Sequence, residues 1–227
     1  MCTVLLRFDP GSLTLAAVRD EFADRPWDPP AAHWESSPGI IGGRDRQAGG
    51  TWLAVSPGTR SVAALLNGVR LPPLATGARP TRGTLVLSAL EGTLGDDFAG
   101  YDGFHLVLGS PDSVTVWSWD GNFLTRQELA PGNHIVVNAG VDTVDDPLVP
   151  HFAPLLADLS GDLGDWRKLL LGDGLAPNDE RALLVRHEHE GRIYASGSAA
   201  LITVDEAGMR FDFTATPTTP TWYPVAL

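Results

Sequence analysis

The sequence is short of the features that usually place a chain quickly. It has one cysteine in 227 residues. A framework of disulfides within the chain is therefore excluded, and a cytoplasmic setting is the natural expectation. No stretch approaches the ~18 consecutive apolar residues of a membrane-crossing helix. No early segment joins basic residues to a long apolar run, so neither an integral membrane segment nor a signal peptide is expected. Positive charge is scarce: 16 Lys and Arg stand against 28 Asp and Glu, a net charge of −12. That balance opposes nucleic-acid binding, which needs clustered cations to neutralise phosphates. No glycine-rich phosphate loop follows a strand pattern, and no internal repeat is visible. The Gly-x-Ser-x-Gly of α/β-hydrolases is also missing, since the nearest stretch, Ala195 to Ala199, does not match it. What remains is a globular composition, 43% hydrophobic and 19% charged, long enough to bury a sizeable core. Nothing in it fixes an oligomeric state.

The single cysteine is Cys2, directly after Met1. Removal of Met1 would leave a thiol and a free α-amine on one residue. Their unperturbed pKa values, about 8.5 and about 7.7–8.0, let the amine act as base for the thiol. The opposing reading is a small buried hydrophobe, the commonest state of an unpaired cysteine.

The pattern along the chain is mostly β. Cys2–Phe8 and Ser12–Val18 read as strands joined by an Asp9-Pro10-Gly11 turn. Such a hairpin puts Arg19-Asp20, just past the second strand, near Cys2. Arg25 to Pro38 reads as a long ordered loop rich in proline and aromatics. A polar Arg44 to Gln47 segment lies between the pairs Gly42-Gly43 and Gly49-Gly50. Further strands are expected at Thr51–Val55, Ser61–Leu66, Phe104–Leu108, Val114–Trp119, His134–Val137, Ile193–Val204 and Met209–Thr214. Helices are expected at Thr84–Leu90, Pro150–Leu159, Trp166–Leu171 and Asp179–Val185. Leu71 to Pro80 reads as a loop and Thr214 to Tyr223 as a peripheral tail. Alternating strands with two groups of helices predict stacked layers, sheets sandwiched by helices.

Several segments together resemble the NRDE family, that of the transport and Golgi organisation protein 2. They are Met1-Cys2-Thr3, Ala16 to Phe22, Asp24-Arg25-Pro26, Gly42 to Asp45, Gln47 to Trp52, Ala64 to Asn67, Thr81-Arg82-Gly83 and, more faintly, Val137-Asn138-Ala139. Order and spacing agree closely from residue 1 to about 92, and the likeness thins beyond Asn138. The resemblance implies one α+β domain over residues 1–227 with a four-layer αββα sandwich, similar to N-terminal nucleophile (Ntn) hydrolases. It is also similar, more distantly, to cysteine Ntn hydrolases that cleave linear amides. By that likeness Cys2 is the nucleophile, Arg19 and Asp20 orient it, and Asn67 and Asn138 help bind the oxyanion. Two positions depart. The family's namesake Asn is Val18 here. Its C-terminal Gly-Thr-Arg corresponds to Ala195-Ser196-Gly197, which lacks the arginine. Glutamine amidotransferases also open with Met-Cys but continue Gly-Ile, where this chain has Thr3-Val4.

The site residues keep alternative readings. Asp20 either receives the Cys2 ammonium or pairs with Arg19 or Arg25. Arg19 either sits beside the thiol or belongs to the surface. Asn67 either donates to an oxyanion or serves the turn at Gly68. Trp27, His33, Trp34 and Trp52 either line a substrate pocket or pack in the core. His187-Glu188-His189-Glu190 puts two histidines on one face of a strand but offers no third ligand, so neither a metal nor any other cofactor is expected. The leading expectation is an amide hydrolase acting on a small molecule. The alternative is a non-catalytic carrier of a hydrophobic ligand such as haem or lipid, as the trafficking and haem- or lipid-handling links of that family suggest.

Overall fold

The computed structural model describes residues 2–74 and 77–227. Met1 and two residues of the loop expected at Leu71–Pro80 fall outside it. The described residues form two antiparallel sheets and three α-helices, an α+β arrangement dominated by strands.

The chain enters through the expected hairpin. Strand β1 (Cys2–Asp9) pairs with β2 (Ser12–Phe22) around Gly11, whose φ of +89° only glycine adopts freely. Three more short strands follow, β3 (Trp27–Ala31), β4 (Ile41–Asp45) and β5 (Leu53–Ser56), and then β6 (Ser61–Asn67). After α1 (Gly83–Leu90) come β7 (Phe104–Gly109), β8 (Val114–Trp119), β9 (Leu124–Glu128), β10 (Gly132–Val137) and β11 (Gly140–Val141). Helices α2 (Leu148–Ala157) and α3 (Leu163–Leu169) precede the closing strands β12 (Arg186–His189), β13 (Arg192–Asp205), β14 (Gly208–Thr214) and β15 (Tyr223–Pro224).

The first sheet has the order β11-β10-β1-β2-β13-β14-β15, with β12 also on β13. The second is β3-β4-β5-β6-β7-β8-β9. Strand alternation divides the apolar residues of β1 and β2 between two environments. Val4, Leu6, Leu13 and Leu15 join Leu53, Val55, Val62 and Val107 of the second sheet in one cluster. Leu5, Ala16 and Val18 face the other way and pack with Phe152, Leu156 and Trp166 of α2 and α3. On the second sheet, Ala54, Ala63 and Leu65 pack with Leu85, Val86 and Ala89 of α1. Each fully buried Leu or Phe in these clusters contributes about 1.5–3 kcal/mol.

The structure corrects four local expectations. Asp179–Val185 is not helical. The Asp179 carboxylate accepts the Arg181 N–H at 2.9 Å and fixes a turn, and Val185 donates to Ser196 Oγ at 2.9 Å. Seven residues hardly nucleate a helix when their backbone groups have such partners. The proline-rich loop contains β3, an edge strand that tolerates Pro29-Pro30 through a register shift between Asp28 and Ala31. The polar segment after Gly42-Gly43 belongs partly to β4. The segment after Thr214 is docked: Tyr223 pairs with Phe213, and Val225 is buried. The exposed edge strand β9, polar in sequence, was not expected.

Candidate functional site

Several strand ends and loops meet around a cavity of about 570 Å³. That volume suits a small molecule. Cys2 lines it from the first residue of β1, and Asn67 from the last residue of β6. Trp52 lines it from just before β5, and Arg82 and Gly83 from the start of α1.

The local geometry around Cys2 follows from strand pairing. Strand β2 continues through Phe22 rather than stopping at Val18, so Arg19 lies directly opposite Cys2. Facing residues of an antiparallel pair share a side, and both belong to the side of the sheet that carries Val4 and Ala17. Asp20 is the next residue and takes the opposite side, that of Val18. Its carboxylate accepts from Ser196 Oγ at 2.6 Å. Its backbone carbonyl accepts from Tyr194 Oη at 3.0 Å and from the Cys2 thiol at 3.9 Å. Strand β13 bulges at Gly197, so Ser196 faces Asp20 and Ser198 faces Arg19.

The Cys2 N–H donates to Asn138 Oδ1 at 3.0 Å. Asn138 Nδ2 in turn donates to the Asn67 backbone carbonyl, which ties the first sheet to the second at the cavity. Behind Asn138, His105 Nε2 lies 3.1 Å from the Asn138 carbonyl and His105 Nδ1 lies 2.7 Å from Ser118 Oγ. Burial holds His105 below its ordinary pKa.

Burial also sets the electrostatics of the groups around Cys2. It pushes the Cys2 thiol above its usual range, and the nearby Arg19 charge only partly offsets this. It raises the Asp20 carboxyl to about 7, against the Ser196 hydrogen bond and the Arg19 charge, which act the other way. Arg19 and Arg82 are lowered by burial. Arg19 is held by aromatic faces, 4.4 Å from the Trp52 ring and 6.0 Å from that of Trp27. Trp52 can lie there because β4 offers Gly43, where a Cβ would come within 2.4 Å of the indole. The space beside Gly197 faces Arg19: a Cβ there would sit 3.8 Å from Nη1.

The structure thus brings Cys2, Arg19, Asp20, Asn67 and Trp52 to the cavity wall, with Asn138 bonded to Cys2. Trp27 packs edge-on against Trp52 and Phe213 and is not a lining residue. His33 and Trp34 also lie outside the lining, with His33 Nε2 2.8 Å from the Pro29 carbonyl and Trp34 Nε1 donating to the Gly49 carbonyl at 2.9 Å. His187 and His189 rest on Tyr194 and Phe22 on exposed β12. Sequence reasoning missed Ser196, His105 and the cavity role of Arg82. Arg82 had a signal in the Thr81-Arg82-Gly83 segment. Ser196 and His105 reach the site only through long-range pairing.

These features define a class: a two-sheet α+β protein with a thiol at a strand end, lining a cavity of about 570 Å³. A family model for Transport and Golgi organisation 2 matches residues 1–174, well past the point where the sequence likeness had thinned. The chain belongs to that family. No curated protein matches the chain. No helix among the described residues is long and apolar enough to cross a membrane.

Proposed function

We propose that the chain is one Ntn hydrolase-like domain spanning residues 1–227, with helices outside two stacked sheets, and that it hydrolyses a linear amide of a small molecule. The observation that carries this is Cys2 at the cavity wall, with its nitrogen bonded to Asn138 and Arg19 directly across the strand pair. Participation of both chain ends in the first sheet supports a single domain.

In the proposed reaction, removal of Met1 frees the Cys2 amine. An ordinary thiol keeps its proton near neutral pH, so a base is needed at the moment of attack. The amine takes that proton and the sulfur attacks the amide carbonyl, forming a C–S bond. The oxyanion is held by donors at the cavity, for which the Asn67 side chain is the candidate, since Asn138 Nδ2 already serves the Asn67 carbonyl. Collapse breaks the C–N bond, and the leaving amine departs with the proton from the Cys2 ammonium. Water then attacks the thioester, releasing the acid and restoring the thiol. Asp20 and Asn138 act by position, fixing the start of β1 against β2 and β10.

The test is intact-mass measurement of purified protein followed by an acyl-transfer probe. Loss of Met1 and labelling of Cys2 are expected, with labelling abolished in Cys2→Ala and slowed about 10²-fold or more in Asn67→Ala. Full retention of Met1 sinks the mechanism. The carrier reading is weaker, because five arginines and four carboxylates line the cavity and a haem or acyl chain prefers apolar walls.

A further inference from the structure

The charges around the cavity do not cancel. Its four carboxylates already have partners. Asp45 takes Arg25 at 2.7 Å together with the Gln47 and Ala48 N–H groups. Asp102 takes Arg79 at 3.2 Å and the Leu71 N–H. Glu21 accepts from its neighbour Phe22 N and lies 3.7 Å from Arg25. Asp20 accepts from Ser196. Of the five lining arginines, Arg25 is consumed by Asp45, and Arg192 is held by Asp24 at 2.5 Å.

Arg19, Arg70 and Arg82 are left. Among the described residues, no carboxylate lies within ion-pair distance of any of them. Arg82 spends one donor on the Gly103 carbonyl at 2.7 Å. Arg70 is exposed and has no hydrogen bond or ion pair to a described residue. Arg19 is the most telling. It is only 5% exposed, its guanidinium makes no hydrogen bond to a described residue and lies against the Trp faces, and it belongs to the cavity wall. A largely desolvated guanidinium at a cavity wall, with no protein acceptor, favours a ligand that supplies one. In a chain of net charge −12, three unneutralised arginines around one cavity make a local attractor for anions.

We infer that this cavity selects a small molecule bearing a carboxylate, bound by the planar donor forks of Arg19, Arg82 and Arg70. The inference rests on the amide-hydrolase reading for the rest of the substrate, namely a scissile amide close to that carboxylate. The register makes the two compatible. Arg19 faces Cys2 across one strand pair, so an anion on Arg19 is a few bonds from a carbonyl held at the sulfur. A guanidinium fork matches a carboxylate with two parallel N–H···O bonds.

The experiment uses calorimetric titration of the full-length Cys2→Ala protein, which cannot turn over. The probes are N-octanoylglycine, its neutral methylamide and inorganic phosphate. The carboxylate is expected to bind at least about tenfold more tightly than the methylamide, and to weaken as salt is raised. Arg70→Gln, at an exposed residue with no partner among the described residues, is expected to weaken the carboxylate by about tenfold and leave the methylamide unchanged. Arg82→Gln should do the same if it folds. Equal affinity for the acid and the methylamide overturns the inference, as does absence of binding by both. Phosphate binding as tight as the carboxylate also overturns it. Turnover by processed wild-type protein is read separately. Carboxylate binding without any turnover removes the hydrolase reading alone. Turnover of neutral amides without carboxylate preference removes this inference alone.

Discussion

Asp20 occupies an unusual state for a carboxyl group. It is 4% exposed, and burial raises its pKa from 3.8 to about 7. Between those values the folded protein binds a proton that the unfolded chain releases. The contribution to stability is therefore fully present below about pH 4 and is lost as pH rises through about 7. A shift of that size corresponds to about 4 kcal/mol. Asp20→Asn removes the titration while keeping a partner for Ser196 Oγ. Chemical denaturation of both proteins at pH 4.5 and pH 8 should show wild type losing several kcal/mol more than the variant over this interval. Parallel losses would mean that Asp20 is ionised throughout and that its burial is compensated by other charges. The same residue shows what a local reading of sequence can and cannot provide. The Asp9-Pro10-Gly11 turn made the nearness of Cys2 to Arg19 legible. The strand's continuation to Phe22, which sends Arg19 and Asp20 to opposite sides, was not, because its stabilising partner β13 lies more than 170 residues away.

At the scale of elements, close backbone approaches shape the cavity, and a separate ion cluster around buried Asp212 joins β14 to α3. Helix α1 begins against the loop between β4 and β5, where Gly50 and Gly83 touch. A Cβ on Gly50 would lie 2.5 Å from the Gly83 carbonyl carbon, a contact that no side-chain rotation relieves. Gly50→Ala should push the start of α1, and with it Arg82, away from the cavity, at a cost of about 3 kcal/mol. Gly58→Ala, with open space around it, is the control and should be close to neutral. A Gly50→Ala protein as stable as the control would show that the loop yields freely. Asp212 on β14 is 1% exposed and binds both Arg210 at 2.8 Å and Arg167 of α3 at 3.0 Å. Asp212→Asn leaves those arginines without a counter-charge and should cost about 3 kcal/mol in urea denaturation. A loss under 1 kcal/mol would show that solvent around the half-exposed arginines carries the pair. The Gly42-Gly43 pattern was visible in the sequence as punctuation. Its purpose, a flat seat for the Trp52 ring, follows only once β4 is paired.

At the scale of the whole molecule, the first sheet takes in both terminal strands, β1 in its interior and β15 at one edge. Sequence patterning recovered most of its strands, since β1, β2, β13 and β14 are apolar and bounded by turns. It assigned the last residues to a tail because Thr214 to Tyr223 is rich in proline and threonine and has no strand period. Tertiary contacts decide otherwise. Tyr223 pairs with Phe213 of β14, with ring centroids 5.8 Å apart. Trp222 lies under Arg167, and Val225 is 8% exposed. The segment therefore covers the open edge of β14 and the join between that strand and α3. Deletion of residues 215–227 should bare a row of unpaired N–H and C=O groups on β14, beside Phe211 and Phe213, which are buried in the full chain. The expected result is a loss of roughly 3 kcal/mol or more, from the buried Val225 and Trp222 contacts, together with concentration-dependent association. Thermal unfolding and sedimentation velocity on the truncated and full chains test both parts. A truncated protein that stays monomeric with an unchanged midpoint would make the end of the chain dispensable. The cavity lies at the ends of β1 and β6, away from this edge, so accessible Cys2 labelling in the surviving folded fraction should remain that of the full chain.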